Sequence, residues 1–150
     1  MNIQIRALQT PDRVQWESLY YGYADFYQVP MNDDILNAVW EWVFTEREAF
    51  YCLVAEGDDG TLLGLMHFRE MPSPLRGKKV GFLDDLFVRP ECRGGGVVEA
   101  LFAALEQSAK EKEWPFVRWI TAEDNYRGRR VYDKLSSPTN WRTYQLNTAS

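Results

Sequence analysis

Apolar positions along the chain fall into two kinds of repeat, one of period two and one near 3.6, and their order predicts the elements. Ile3 and Ile5 alternate with polar neighbours, as a short strand does, and Thr10-Pro11-Asp12 places a proline near the first position of a helix. Trp16, Leu19, Tyr20, Tyr23, Phe26 and Tyr27 then recur at steps of three and four, giving one aromatic face that ends by Pro30. Ile35, Leu36, Val39, Trp40 and Val43 repeat the pattern after Asn32 to Asp34, which can cap a second helix. Tyr51 to Ala55 and Leu62 to Phe68 are apolar, β-prone runs on either side of the turn Asp58-Asp59-Gly60, and they read as a hairpin.

From Val80 the pattern changes. A strand (Val80 to Val88), a glycine-rich turn, a helix (Val97 to Glu113), a strand (Phe116 to Thr121), a helix (Arg127 to Leu135) and a last strand (Trp141 to Leu146) follow one another. Met71 to Lys79 is turn-rich and reads as a loop inside one domain. The expectation is an α+β fold, with antiparallel strands first and a βαβ unit second, over a single domain spanning 1–150.

Composition narrows the class. The 150 residues are 45% hydrophobic and 15% aromatic, which suits a compact domain and excludes a fibrous or disordered chain. No apolar run approaches the roughly 20 residues of a membrane span. Met1 to Thr10 lacks the basic-then-apolar layout of a secretion signal, so a cytoplasmic protein without membrane partners is expected. A net charge of -5 argues against nucleic acid as a partner, Arg127, Arg129 and Arg130 notwithstanding, and suits a cationic substrate better. Cys52, Cys92 and His67 are too few for a disulfide framework or an ordinary zinc site, and no metal is expected.

Three features can carry chemistry. Arg93-Gly94-Gly95-Gly96-Val97-Val98 joins a strand to a helix whose inner face is Val97, Ala100, Leu101, Ala104 and Leu105, so its glycines and first-turn N–H groups suit a phosphate. The spacing is neither G-x-G-x-x-G, because Glu99 stands at its last position, nor that of a P-loop, and the turn can also be a plain connection. Asp84 and Asp85 interrupt the apolar strand that feeds this loop. A regular strand turns only one of them toward a given site, where it could accept a proton, or else be solvated or hold a basic side chain. Asn125 looks like a helix cap, with Tyr132 two turns on, as a proton donor or as packing.

The strand ending Leu86-Phe87-Val88-Arg89-Pro90, followed by Arg93-Gly94-Gly95-Gly96 and then by Asn125 and Tyr132, resembles the GNAT N-acetyltransferase superfamily. Phe82 to Val88 and Tyr51 to Glu56 look most like its histone and polyamine (spermidine/spermine-like) branch. The resemblance implies a mixed central sheet with a splayed pair of strands and helices on both faces. It also implies an enzyme that moves an acetyl group from acetyl-CoA, with CoA as product, directly to a primary amine: a polyamine, a lysine side chain or another small cationic amine. In that likeness the backbone of Leu86, Phe87 and Val88 holds the pantetheine arm. Arg93, Gly94, Gly95, Gly96, Val97 and Val98 hold the pyrophosphate, and Asn125 and Arg129 support the cofactor site. Tyr132 is the general acid toward the CoA thiolate, and Asp84 is the base or amine-binding carboxylate, with Asp85 in reserve. Tyr23 and Tyr27, in the tyrosine cluster of the first helix, line the acceptor pocket with Asp84, since aromatic faces and carboxylates attract ammonium groups. Val98 departs from the family's usual Gly or Ala and sets a branched side chain beside the pyrophosphate; a usual Gly-Phe is missing after Lys134, where Thr139-Asn140-Trp141 stands in. The resemblance and the strand edges favour a homodimer. The competing class is a CoA-binding sensor or scaffold without turnover.

Overall fold

The computed structural model describes residues 2–149, which form two compact units, residues 2–119 and 120–149. In the first unit the elements run β1 (Gln4–Ala7), α1 (Arg13–Tyr27), α2 (Asp33–Val43), β2 (Phe50–Glu56), β3 (Leu62–Ser73), β4 (Lys78–Val88), α3 (Val97–Glu111) and β5 (Val117–Arg118). The strands make one sheet in the order β1-β2-β3-β4-β5, antiparallel up to β4, where β5 adds parallel to complete a βαβ unit with α3. The helix starts follow the sequence: Pro11 sits in a short 3₁₀ turn leading into α1, and the Asn32 side chain accepts the Ile35 N–H to cap α2.

Both faces of the sheet are covered. Trp16 and Leu19 of α1 and Leu36 of α2 pack with Cys52, Val54, Leu65 and Phe87 on one face; Leu101 of α3 packs with Ala55, Leu63, Met66, Phe68, Leu83, Val88 and Trp114 on the other. Glycine at position 64 lets α3 seat closely: a Cβ there would stand 2.8 Å from the Phe87 carbonyl oxygen and 3.3 Å from Val97, the first residue of the helix.

Three expectations need correction. Most of Met71 to Lys79 is strand, because the β3–β4 ladder continues through Met71↔Val80 to Ser73↔Lys78 and leaves a turn of only four residues, 74–77. The strand expected over Phe116 to Thr121 is reduced to Val117–Arg118, so β5 pairs with β4 only at Gly81 and Phe82, and β4 runs on to Val88 without it. Trp141 to Leu146, expected as a last strand, is irregular. The second unit holds one helix, α4 (Tyr126–Leu135).

Gly64→Ala is expected to lower stability by about 1–3 kcal/mol, since the added methyl meets backbone that cannot move freely. Gly57→Ala, whose Cβ would meet Leu63 no closer than 3.4 Å, should stay near neutral. Urea midpoints of the two variants against the parent check this.

Candidate functional site

The β3–β4 ladder carries an irregularity at the aspartate pair. Leu83 faces Phe68 and Asp85 faces His67, so Asp84 is an extra residue with no partner in β3, a β-bulge. Its consequence corrects the alternation expected from sequence. Asp84 reaches Arg69, with Oδ1 3.1 Å from the guanidinium, and its carbonyl accepts a hydrogen bond from the Tyr23 hydroxyl at 3.4 Å. Asp85 accepts from the Tyr20 hydroxyl and the His67 ring at 2.8 Å each. Both carboxylates therefore lie on the α1 side of the sheet.

Tyr20 and Tyr23 come from the aromatic face of α1, and Tyr27 continues it, its ring centroid 4.9 Å from that of Tyr23. Behind Asp85 the network runs inward: the Trp16 indole N–H donates to Nε2 of His67 at 3.0 Å, and both side chains are fully buried. An indole N–H can only donate, which assigns the His67 proton to Nδ1, toward Asp85. Burial works against the imidazolium of His67, but the neighbours Cys52 and Asp85 outweigh it and raise the pKa; the indole donor opposes that direction, because an Nε2 that accepts its hydrogen bond carries no proton, and in this arrangement the ring is neutral.

The two carboxylates have opposite electrostatics. Burial, reinforced by the charge on Asp85, raises the Asp84 pKa against the pull of Arg69. Oδ2 of Asp84 is buried and has no hydrogen-bond partner among the described residues. Burial works on Asp85 in the same direction, but hydrogen bonds from His67, Tyr20 and Tyr23 outweigh it and hold the carboxyl below the ordinary value. Burial, with Asp85 next, raises both Tyr20 and Tyr23, so they are neutral donors. A desolvated carboxylate with an open oxygen can take a proton or receive an ammonium group.

Past Val88 the chain turns into the glycine loop. Gly94 and Gly96 have φ of +84° and +89°, and a Cβ at either would meet nothing within 4 Å. The loop is open and its conformation calls for glycine. Gly96 precedes α3, whose first-turn N–H groups at Val97, Val98 and Glu99 have no acceptor inside the helix, so the loop fits a pyrophosphate. Val97 is buried and Val98 packs against the same α3-side cluster, which directs the branched side chain that looked obstructive from sequence into the protein. Arg93 donates through Nε to the Val88 carbonyl and lies against the rings of Phe26 and Phe87. Beside it a cavity of about 430 Å³ is lined by Gly22, Asp25, Phe26, Phe87, Arg89 and Arg93, among others.

In the first unit, then, the structure brings together Asp84, Asp85, Tyr23 and Tyr27, with Leu86, Phe87 and Val88 continuing β4 into the loop. In the second unit, Asn125 caps α4 by accepting from Gly128 N–H and donates to Thr121 Oγ1 at 3.0 Å. Arg129 donates to the Glu123 carbonyl, and Tyr132 lies within α4, its carbonyl accepting from Ser136. Sequence reasoning passed over Trp16, His67 and Arg69 as site residues. Their partners are distant along the chain, and only the pairing of His67 with Asp85 across β3 and β4 exposes them.

The opposite shifts have opposite linkage. A raised folded pKa makes Asp84 a stability cost that grows as pH rises from the ordinary carboxylate value through the folded one. A lowered pKa makes Asp85 a stabilising group whose contribution is lost as pH falls below the ordinary value. Asp84→Asn should raise the urea midpoint at neutral pH, the gain shrinking on acidification, whereas Asp85→Asn should lower it; midpoints across the acid range check both signs.

A model of the acetyltransferase (GNAT) family matches residues 15–136. The D-amino-acid N-acetyltransferase HPA3 of Saccharomyces cerevisiae is 23% identical over 146 residues, covering 97% of this chain and 91% of that protein. Among solved structures, the ribosomal-protein-alanine N-acetyltransferase of Brucella melitensis biovar Abortus 2308 is 25% identical with a TM-score of 0.81, covering 99% of this chain and 100% of its own. The fold is shared with AAC(6')-Iy in complex with a bisubstrate analog, at a TM-score of 0.85 and 20% identity over the whole of both chains. Among the described residues no helix is long and apolar enough to cross a membrane. The chain belongs to the acetyltransferase (GNAT) family and is an acetyl-CoA-dependent N-acetyltransferase that acts on amines.

Proposed function

We propose that residues 1–150 work as one N-acetyltransferase domain whose acceptor is a small primary amine, drawn in as its cation and deprotonated at Asp84. The observation that carries this reading is the buried, unpartnered Oδ2 of Asp84 on the α1 side of the sheet. A lysine-like amine, with a pKa of roughly 10.4, arrives protonated at neutral pH and cannot attack until a base removes that proton. Asp84 is suited to this because burial keeps its proton affinity above that of an ordinary carboxylate. The rings of Tyr23 and Tyr27 give the ammonium an aromatic wall.

Bound acetyl-CoA supplies an activated acyl carbon. Its pyrophosphate is held by Arg93 and the loop from Gly94 to Val98, with the N–H groups of the first turn of α3 as donors, and its pantetheine arm by the backbone of Leu86, Phe87 and Val88, where β4 has parted from β5. A backbone N–H of that segment stabilises the oxyanion that develops as the amine attacks. In the same reading Asn125 and Arg129 bind the cofactor, and Tyr132 gives its proton to the departing thiolate. A cytoplasmic homodimer belongs to the same reading, supported by the free thiols Cys52 and Cys92 and by exposed aromatic side chains such as Trp141 and Tyr144.

A second acceptor class has one observation in its favour. Arg69, half exposed over the Phe82 ring and paired with Asp84, sets a cation beside the base, which suits the carboxylate of an amino acid better than a polyamine. The likeness to a D-amino-acid N-acetyltransferase points the same way.

Release of CoA thiol from acetyl-CoA, measured with polyamines, lysine peptides and amino acids, tests the reading. Turnover with the first two and not with amino acids supports the cationic class; turnover with amino acids alone replaces it by the second. Asp84→Asn should lower kcat/KM by about 10²–10⁴. Tyr132→Phe should lower kcat while CoA affinity, read by titration, stays unchanged.

A further inference from the structure

The bulge leaves two carboxylates side by side on one face, and something in the fold must decide which of them carries a proton. The groups facing them are Tyr20 and Tyr23 from α1 and His67 and Arg69 from β3, with Tyr27 beside Tyr23 and Cys52 beside Tyr20 and His67. The hydrogen-bond donors are unevenly shared. Oδ2 of Asp85 receives the Tyr20 hydroxyl and the His67 Nδ1–H, each at 2.8 Å. Among the described residues the Asp84 carboxylate receives the guanidinium of Arg69, itself half exposed, and its Oδ2 has no hydrogen-bond partner.

We propose that His67, held in one tautomer by Trp16, is a positioning residue that keeps Asp85 anionic and thereby makes Asp84 the carboxylate that takes the acceptor's proton. The chain of causes is geometric. Trp16 donates to Nε2, so the single ring proton must sit on Nδ1, and Nδ1 points at Asp85. Donors on Asp85 stabilise its charge, and that charge, beside Asp84, favours a proton there. His67 touches neither partner of the reaction and acts through Asp85 alone.

The inference rests on Asp84 as the base, and its test separates the two ideas. Carbon NMR of the aspartate carboxyls, titrated across the carboxylate range, is compared with the pH dependence of kcat/KM in the parent and in Tyr20→Phe, His67→Leu and His67→Asn. Loss of a donor lets Asp85 hold a proton, relieves Asp84 of a neighbouring charge, and so lowers the pH at which Asp84 ionises. Tyr20→Phe and His67→Leu should therefore shift the Asp84 midpoint and the acid limb of the rate together to lower pH, by roughly one unit. His67→Asn, which keeps an N–H for Asp85, should restore both toward the parent. If His67→Leu does not fold, Tyr20→Phe, which deletes a single oxygen, carries the same reading. An Asp84 midpoint that stays in place while activity or stability falls makes His67 a packing residue and overturns the proposal. A midpoint that moves while the acid limb does not upholds the control of Asp85 by His67 and removes Asp84 as the base.

Discussion

In a regular strand, neighbouring aspartates project to opposite faces, and here one would lie among the side chains beneath α3 and the other beneath α1. The residue without a partner in the β3–β4 ladder removes that choice, because after Asp84 the alternation restarts with Asp85 on the face it would otherwise have left. Two like charges in one poorly solvated place repel, and the surrounding structure is arranged to meet that repulsion. Trp16, Tyr20 and Tyr23 recur along α1 at steps of four and three, so one helical face delivers the phenolic donors and the indole that orients the ring behind them.

Two close approaches keep those groups in place. Gly22 of α1 lies against the Phe87 ring, where a Cβ would come within 2.7 Å, and Gly64 of β3 lies under the first turn of α3. Phe87 is thus fixed from the α1 side at the same end of β4 from which the chain leaves for the glycine loop. Arg93 stacks against that ring and bonds back to the Val88 carbonyl, tying the loop to the strand. A run of β4 from Asp84 to Val88, with no turn inside it, joins the carboxylates to the glycine loop.

The helices and the paired strands are legible in the amino-acid pattern, because α1, α2 and α3 each bury a stripe against a face of the sheet and Asn32 and Asn125 cap by local geometry. What is not legible is register. Nothing in Leu83-Asp84-Asp85-Leu86 announces that one residue lacks a partner; the extra position exists only relative to Phe68 and His67 in another strand. The same limit hides His67, a lone histidine by composition, whose role comes from Trp16 and Asp85, 51 and 18 residues away. Pro72, Pro74 and Gly77 suggest a longer loop than the ladder allows, because pairing across β3 and β4 overrides local turn propensity. Trp141 to Leu146 carries Trp, Thr, Tyr and Leu as a strand does, and such residues alone do not supply the neighbour a strand needs.

The separation of these partners along the chain also orders events in folding. The β3–β4 hairpin brings His67, Arg69, Asp84 and Asp85 together through short-range pairing, whereas the contact from Tyr20 to Asp85 spans 65 residues and Trp16 to His67 spans 51. Local contacts close at lower entropic cost and so form early. The aspartates are then first assembled while hydrated, as ordinary surface carboxylates, and become a tuned pair only when α1 docks and water leaves. Docking of that helix dehydrates two charges, a cost offset by the simultaneous burial of Trp16 and Leu19. Any loosening of α1 would return the pair to water before it unfolds the sheet, so the acid–base character of the site is held by the least local contacts that make it.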